Sequence, residues 1–339
     1  MVQNKSLVLA RYPVGLPIPG EDLVITSSEF DLNIPPPEGG LVLKTHYISF
    51  EPFQRELMQP AGGYALNEPL SNNAISTVVS SNNPRFKAGD IVISTVEFSE
   101  YQTIERARAD QEQLAGGGGG VSLLKNSAGL DPKLFLGALG MSGLTAYSSL
   151  YEIGKPKKDE VIFISAASGA VGQIVGQLAK QEGLTVIGSV GSDAKLEFIQ
   201  KELGFDGGFN YKAEKAESAL KRVLGELGKG GLDIYYDNVG GEHLVAAITA
   251  MNPFGRICKS SYPIPFPKTN AFQWPVVAFL KRAKIRTRST AYRRCSWLSA
   301  KGSRLGDSSS LIKTWVPSIR SSIRGTCKSG LRMRKLRTR

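Results

Sequence analysis

The chain has 339 residues, of which 41% are hydrophobic and 21% charged, and its formal net charge is +12. This length is enough for two domains, and no apolar run is long enough to cross a bilayer, which excludes a membrane-spanning transporter or receptor. Three cysteines and two histidines, isolated from one another in the sequence, cannot supply the three ligands of a catalytic zinc or the four of a structural one. The N-terminus has no basic start followed by an apolar core, so we expect no secretory signal and a cytoplasmic protein.

The first part of the chain is rich in short β-strand patterns. Between Lys5 and about Ser127, Pro, Gly and Asn separate five β-rich runs, SLVLARY, EDLVITSSEF, GLVLKTHYISF, AISTVVSS and GDIVISTVEF. They predict a partly open β-barrel rather than alternating strands and helices. His46, inside one of these runs, is expected to be structural. The AGGGGG run at 115–120 predicts a flexible surface loop, either a natural insertion or a gene-prediction artefact.

A strand, a glycine turn and an amphipathic helix follow one another in VIFISAASGAVGQIVGQLAK at 161–180. Four apolar residues predict a strand covered on both faces, and the apolar residues after the turn recur at helical spacing. Ala167, Gly169 and Gly172 occupy the small-residue positions of a G-x-G-x-x-G turn. Small residues allow a tight bend and let the N–H groups at the helix start face a phosphate. The pattern predicts a dinucleotide pyrophosphate site, and an ordinary strand-to-helix turn without ligand is the alternative.

The next strand bears on which dinucleotide is bound. In NAD sites an acidic residue roughly 20 positions after the glycine turn bonds the ribose 2′-hydroxyl, whereas here Gly191 and Ser192 follow the strand LTVIGSV. Ser192 or Asp193 is more simply the N-cap of the helix that follows. Lys195 lies in the first turn of that helix, where a cation opposes the helix dipole. A phosphate partner would explain that placement, so we favour NADPH with Lys195 on its 2′-phosphate, over a merely solvated lysine.

Five ordered motifs carry a family resemblance: GALGMSGLTAYSSL at 137–150, AASGAVG at 166–172, GSDAKLEFIQKELGFD at 191–206, NYK at 210–212 and YDNVGG at 236–241. Together they resemble the zinc-independent medium-chain dehydrogenase/reductases, and within these the NADP-dependent alkenal double-bond and prostaglandin (leukotriene B4 dehydrogenase-like) reductases. The resemblance implies a GroES-like, partly open β-barrel substrate domain over 1–133 and a Rossmann NADP-binding domain, a doubly wound parallel sheet, over 134–285. It does not extend over 286–339, which we expect to be irregular.

The resemblance also implies roles for individual residues. The adenosine 2′-phosphate would be held by Lys195 and Tyr211, although Tyr211 could equally be a packed aromatic at a strand end. Asn238 would contact the cofactor's ribose region and Met141 its nicotinamide side. The glycine turn would hold the pyrophosphate through Ala167, Ser168, Gly169, Ala170, Val171 and Gly172.

The reaction implied by the family is hydride transfer from NADPH to the β-carbon of an α,β-unsaturated aldehyde or ketone, without a metal. Tyr262 would donate a hydrogen bond to the developing enolate, but KSSYPIP lacks the glycine-containing turn expected there, and an exposed loop tyrosine is the alternative. The stretch YISFEPFQRELM at 47–58 resembles the segment bordering the active site. We expect Arg55 there to pair with Glu51, and a contact with substrate or cofactor is the alternative. Quinone reduction is a neighbouring alternative, and a homodimer is expected by family analogy.

The last 54 residues have a different composition from the rest. They hold 15 basic residues and one acidic residue, whereas the first 285 hold 27 basic and 29 acidic residues. A basic arm for nucleic acid or an anionic membrane is one interpretation, which would make the protein a non-catalytic nucleotide and polyanion binder. A truncated but real protein is another. The interpretation we favour is a shifted reading frame or misread intron beginning between Arg256 and Arg286.

A possible codon assignment supports the shifted frame. LRMRKL at 331–336 can be encoded as CTG AGA ATG CGG AAG CTC, and reading from the third nucleotide gives Glu-Asn-Ala-Glu-Ala, similar to a Glu-Asn-Ala segment near the family's final helix. Without the closing strands, the core would lose more than the ~5 to 15 kcal/mol by which domains are stable. We therefore expect the chain as written to fold poorly and to reduce enals weakly or not at all.

Overall fold

The computed structural model describes residues 1–113 and 119–259. Within them the chain forms two compact units, which divide between Met141 and Ser142. Tyr262, the segment 286–339 and most of the glycine run at 115–120 lie outside the described residues.

The first unit is built mainly of antiparallel strands, and all five predicted β-rich runs form strands. A two-stranded hairpin pairs β1 with β2, and a five-stranded sheet has the order β6-β3-β4-β5-β7. Along β5 the side chains alternate between core and surface, and Val92, Ser94 and Val96 are buried. The elements are β1 (Val2–Leu9), β2 (Leu23–Phe30), β3 (Leu41–Ile48), α1 (Gln54–Leu57), β4 (Ser71–Ser81), β5 (Ile91–Glu97), β6 (Tyr101–Ile104), α2 (Arg106–Ala109), β7 (Val121–Leu123) and a 3₁₀ turn at Pro132–Phe135.

The second unit alternates strands and helices around a five-stranded parallel sheet of order β10-β9-β8-β11-β12. The sequence therefore predicted its fold class correctly. Its elements are α3 (Met141–Ser149), which continues into a π-helical turn at Leu150–Gly154, β8 (Val161–Ile164), α4 (Ala170–Gln181), β9 (Thr185–Val190), α5 (Asp193–Lys201), β10 (Gly207–Asn210), α6 (Ala216–Glu226), β11 (Leu232–Asp237), α7 (Gly241–Thr249) and β12 (Met251–Lys259).

Helices cover both faces of the parallel sheet, which explains why its strands are apolar throughout. In β8, Ile162 and Ile164 pack in the cluster that includes α4 and α5, whereas Val161 and Phe163 pack in the cluster that includes α6 and α7. Because side chains alternate along a strand, a strand covered on both faces needs consecutive apolar residues. Within the described chain, none of the helices is both long and apolar enough to traverse a membrane.

Candidate cofactor site

The strand order of the parallel sheet creates a switch point between β8 and β11. The chain passes from β8 outward to β9 and β10 and then returns to β11 on the other side of β8. The loops that leave the carboxyl ends of β8 and β11 therefore diverge, and in open α/β sheets ligands bind in the crevice formed there. The predicted glycine turn follows β8, and Asn238 follows β11. The fold thus brings these two sequence-predicted segments to one place.

The turn after β8 is tight and rests directly on the start of α4. Ala166 adopts a left-handed conformation with φ of 49°, which is uncommon for a residue with a side chain. The Ala167 N–H donates to the carbonyl oxygen of Ser189 at 2.9 Å, which ties the turn to β9. A Cβ atom on Gly172 would lie 2.5 Å from the carbonyl oxygen of Ala166, so only glycine allows this close approach.

The amino end of α4 has the properties of an anion site. Its N-cap residue is Gly169, which has no side chain to accept a hydrogen bond from the helix. The N–H groups of Ala170, Val171 and Gly172 lie in the first turn, where an α-helix provides no acceptor, and the helix dipole places positive potential there. Ser168 is positioned from the helix, since Gln173 Nε2 donates to its carbonyl oxygen at 2.6 Å. These features fit a pyrophosphate.

The end of β9 and the start of α5 form a second, neighbouring part of the site. Ser192 is the N-cap of α5, as predicted, and its hydroxyl accepts from the Lys195 N–H. The Lys195 side chain is exposed, and in the described part of the chain no carboxylate forms an ion pair with it. Asp193 accepts a hydrogen bond from Asn210 Nδ2 at 2.9 Å, at the end of β10.

Tyr211 lies across the end of β9. Its backbone N–H donates to the carbonyl oxygen of Val190 at 3.0 Å, and its half-exposed ring contacts Gly191. A Cβ atom on Gly191 would come within 3.0 Å of the Tyr211 hydroxyl, so a larger residue there would displace the ring. Position 191 therefore has no acidic side chain that could bond a ribose 2′-hydroxyl, and Tyr211 leaves little space for one there. A cation, a phenol and no competing carboxylate at position 191 fit a 2′-phosphate better than a 2′-hydroxyl.

Asn238 connects the two loops at the switch point. Its backbone N–H donates to Ser165 Oγ at 2.9 Å, and its Nδ2 donates to the Ser165 carbonyl oxygen at 2.8 Å. Ser165 is the first residue after β8, so these bonds fix the Asn238 turn directly beside the glycine turn. The contacts of Asn238 with a cofactor ribose stay a prediction.

Three residues at this junction escaped the sequence analysis. Ser165, Tyr235 and Asp237 are fully buried, and the Tyr235 hydroxyl is hydrogen-bonded to both Ser165 Oγ and Asp237 Oδ1. Burial, together with the neighbouring Asp237 carboxylate, raises the pKa of the Tyr235 hydroxyl, which therefore stays protonated. Asp237 lies in the YDNVGG motif at 236–241. For Ser165 and Tyr235 the sequence signal was their position at strand ends that meet at a switch point.

Two further predicted residues cannot be placed relative to this site. Met141 is the buried first residue of α3 and lies at the boundary between the two units, so its nicotinamide contact stays a prediction. Tyr262 lies outside the described residues, and its role likewise stays a prediction.

In the first unit, the expected pairing of Arg55 with Glu51 is wrong. Arg55 donates instead to the carbonyl oxygens of Gly15, at 2.7 Å, and Pro13, at 2.8 Å, so it fastens the loop before β2. The buried Glu51 carboxyl accepts from the Ser49 hydroxyl, and burial raises the pKa of this carboxyl. His46 is exposed on β3 and bonds Thr77 Oγ1 on β4 at 2.7 Å, in keeping with a structural role.

The described residues do not fit a zinc ion. Their histidine and cysteine side chains are His46, His243 and Cys258, and no three acidic, histidine or cysteine side chains in the described ranges are grouped to hold a metal. Cys258 is fully buried, and burial raises the pKa of its thiol to about 12, which disfavours the thiolate that binds zinc.

Comparison with known protein families gives two matches that together span most of the described chain. Residues 5–111 match the family described as N-terminal domain of oxidoreductase. Residues 170–298 match the family described as zinc-binding dehydrogenase, although the described residues do not fit zinc.

Individual relatives extend over more of the chain. The NADP-dependent oxidoreductase RED1 of Cochliobolus heterostrophus is 47% identical over 266 residues, which is 77% of this chain and 72% of the relative. The 2-alkenal reductase (NADP(+)-dependent) of Nicotiana tabacum is 36% identical over 76% of this chain and 71% of its own. The crystal structure of CurA in complex with NADPH from Vibrio vulnificus has a TM-score of 0.68 and 26% identity, over 96% of this chain and 88% of that one. The chain therefore belongs to the medium-chain dehydrogenase/reductase family of NADP-dependent oxidoreductases.

Proposed function

We propose that this protein uses NADPH to reduce the C=C bond of α,β-unsaturated aldehydes or ketones. The observation that supports NADPH most directly is that Tyr211 lies against Gly191 at the end of β9. Lys195 is in the first turn of α5, which follows β9, and the uncapped α4 follows the neighbouring strand β8. The choice of an enal or enone is supported by the similarity to a tobacco protein named 2-alkenal reductase. NADPH is thus the cofactor, and an unsaturated carbonyl compound is the substrate class.

Different residues of the chain bind and orient different parts of NADPH. The first N–H groups of α4 stabilise the pyrophosphate charge, and Lys195 pairs with the 2′-phosphate while the Tyr211 hydroxyl donates to it. Asn238, fastened to Ser165, orients the ribose next to the nicotinamide. NADPH supplies a hydride to the β-carbon, and with one proton taken at the α-carbon the products are the saturated carbonyl compound and NADP⁺. Tyr262 is proposed to donate a hydrogen bond to the carbonyl oxygen, where negative charge develops.

The experiment that tests this proposal follows a labelled hydride. The full chain is incubated with NADPH deuterated at the transferable position and with a 2-alkenal, the matching saturated aldehyde or a quinone, each in a separate reaction. From the 2-alkenal we expect a saturated aldehyde with deuterium at the β-carbon, formed only slowly by the chain as written, and we expect no reaction of the saturated aldehyde. Formation of the unsaturated alcohol would contradict the proposal, and consumption of NADPH with the quinone alone would favour quinone reduction.

Binding is measured separately, because a weakly active chain can still bind NADPH. Titration of the full chain with NADPH and, separately, with DNA at increasing salt also tests the alternative of a polyanion binder. Affinity for DNA through the basic segment 286–339 should fall steeply with salt, whereas affinity for NADPH in a shaped site should change less. Homodimerisation and a cytoplasmic location stay predictions from the sequence.

A further inference from the structure

Two adjacent tyrosines at the end of β11 are buried on opposite faces of the parallel sheet. Tyr235 and Tyr236 both have fully buried side chains, and both hydroxyls are hydrogen-bonded. Because neighbouring residues of a strand point to opposite faces of the sheet, the two hydroxyls bond different parts of the fold. Tyr236 reaches Ser149 and the Thr145 carbonyl oxygen in α3. Tyr235 reaches Ser165 and Asp237, at the switch point.

The Tyr235 hydroxyl lies at the centre of a network that ends on the Asn238 turn. It donates to Asp237 Oδ1 at 2.9 Å and lies 3.1 Å from Ser165 Oγ. The same Asp237 oxygen accepts from the N–H groups of Val239, at 3.1 Å, and Gly240, at 2.6 Å. Ser165 Oγ in turn accepts from the Asn238 N–H at 2.9 Å. Thus the N–H groups of three consecutive turn residues are bonded to side chains that Tyr235 contacts.

The turn held by this network has a backbone that would not order easily by itself. Gly240, the N-cap of α7, and Gly241, its first residue, both have positive φ, 75° and 54°. Glycine loses more conformational entropy on ordering than any other residue, so such a turn samples many conformations unless its N–H groups are bonded. Buried acceptors in a low-dielectric surrounding make these bonds strong.

We propose that Tyr235, acting through Asp237 and Ser165, is a positioning residue that holds the Asn238 turn in the conformation that binds NADPH. The inference rests on the proposed function only in that Asn238 contacts the cofactor. Tyr235 is internal to the sheet and touches neither cofactor nor substrate. Its hydroxyl acts by preorganisation, since a turn that is already ordered loses less entropy when the cofactor binds.

The test compares two single-atom deletions, Tyr235→Phe and Tyr236→Phe, in the full chain. Both remove one buried hydroxyl from neighbouring positions and keep the aromatic ring; in Tyr235 that ring stacks on Phe163 at 5.1 Å between centroids. We expect Tyr235→Phe to raise the dissociation constant for NADPH roughly three- to tenfold, the size of one lost hydrogen bond. Tyr236→Phe should leave the dissociation constant within about twofold, although both variants lower the unfolding midpoint. Equal effects of both variants on NADPH binding would overturn the inference.

A double-mutant cycle decides whether Tyr235 acts through Asn238. In an Asn238→Ala background, adding Tyr235→Phe should have little further effect on NADPH binding, because the group being positioned is already gone. Full additivity of the two effects would overturn the inference. Formation of the unsaturated alcohol from the enal would contradict the proposed function and leave these binding results standing. A full chain that does not bind NADPH would contradict both.

Discussion

Gly191 and Tyr211 are in contact at the end of β9, and a Cβ atom on Gly191 would lie 3.0 Å from the Tyr211 hydroxyl oxygen. On the other side, the Tyr211 ring meets His243 edge-on, with 5.4 Å between ring centroids. A side chain at position 191 would therefore push the Tyr211 hydroxyl away by a few tenths of an ångström. Since Gly191 does not have a positive φ, the effect of a larger residue there is steric and not a matter of backbone strain.

Gly191→Ala should weaken NADPH binding by shifting the Tyr211 hydroxyl away from the 2′-phosphate. We expect the dissociation constant for NADPH to rise about threefold to tenfold, the size of one displaced hydrogen bond, and that for NADH to change little. Titration calorimetry with both cofactors measures the two constants. Tyr211→Phe is the matched variant, because it removes the hydroxyl without the steric clash, and it should show the same preference. An equal loss for NADPH and NADH would mean that Tyr211 is only a packed aromatic.

Lys195→Ala should weaken NADPH binding without lowering the stability of the fold. Removing a charge-assisted contact to the 2′-phosphate should weaken NADPH binding about tenfold to a hundredfold and leave NADH binding nearly unchanged. The thermal unfolding midpoint should stay unchanged or rise slightly, because a cation in the first turn opposes the dipole of α5. The measurements are cofactor titrations and thermal unfolding of the same samples.

Lys201→Ala is the control for the lysine variant. Lys201 lies in the same helix and forms an exposed ion pair with Glu197 at 2.6 Å, far along the helix from its N-cap. Removing it changes the net charge by the same amount, and exposed pairs contribute little to stability. NADPH affinity should therefore be unaltered. A similar loss in both lysine variants would show that Lys195 acts only through overall charge.

Local patterns predicted the elements that hold the site. The strand, glycine turn and helix around 161–180 are encoded by consecutive apolar residues, small residues at fixed positions and helical spacing, all within about 20 residues. The Ser192 N-cap was predictable for the same reason, since its partner is the N–H of Lys195, three positions later. These features depend on residues close together in the sequence, so the periodicity of apolar and small residues is enough to predict them.

The contacts between distant segments could not be predicted in this way. Tyr235 and Ser165 are 70 positions apart, and only the strand order places them side by side. The same holds for Arg55, which bonds carbonyl oxygens 40 and 42 positions away in place of Glu51.

Two helical glycines should respond to Gly→Ala in opposite directions. In α4, a Cβ atom on Gly176 would overlap with the ring of the buried Phe205, so Gly176→Ala should destabilise the second unit by about 1–3 kcal/mol. In α6, nothing lies within 4 Å of the position that a Cβ on Gly225 would take, so Gly225→Ala should stabilise by up to about 1 kcal/mol. Denaturant unfolding of both variants gives the two free energies. Stabilisation by Gly176→Ala would contradict the packing of α4, and destabilisation by Gly225→Ala would contradict the open position in α6.

Transcript sequencing across codons 250–339 tests the frame-shift interpretation of the basic segment. We expect the reads to restore a family-like helix and a final glycine-rich turn in place of RTRSTAYRRC and the residues after it. A protein made from the restored reading frame should then reduce enals faster than the chain as written. Reads that confirm the printed sequence, together with rapid enal reduction by that chain, would show that this interpretation is wrong.

His243 should make stability fall as the solution becomes mildly acidic. It is a buried residue of α7, its ring is stacked near Phe163 and Phe209, and its Nε2 is buried without a hydrogen-bond partner. Burial lowers the pKa of the imidazole, and this effect outweighs the opposing influence of the Asp237 and Glu242 carboxylates.

The sign of the pH effect follows from which state binds the proton first. Below about pH 6.5 the unfolded chain takes up a proton at His243 while the folded chain does not, so the free energy of unfolding falls with pH by at most about 1.4 kcal/mol per unit. The fall ends once the pH is below the lowered folded-state pKa. His243→Phe keeps an aromatic ring at this position and cannot titrate, so the decline between pH 6.5 and 5.5 should be shallower in this variant than in the unmodified chain. Denaturant unfolding across this pH range measures both slopes, and parallel curves would show that His243 is protonated equally in the two states.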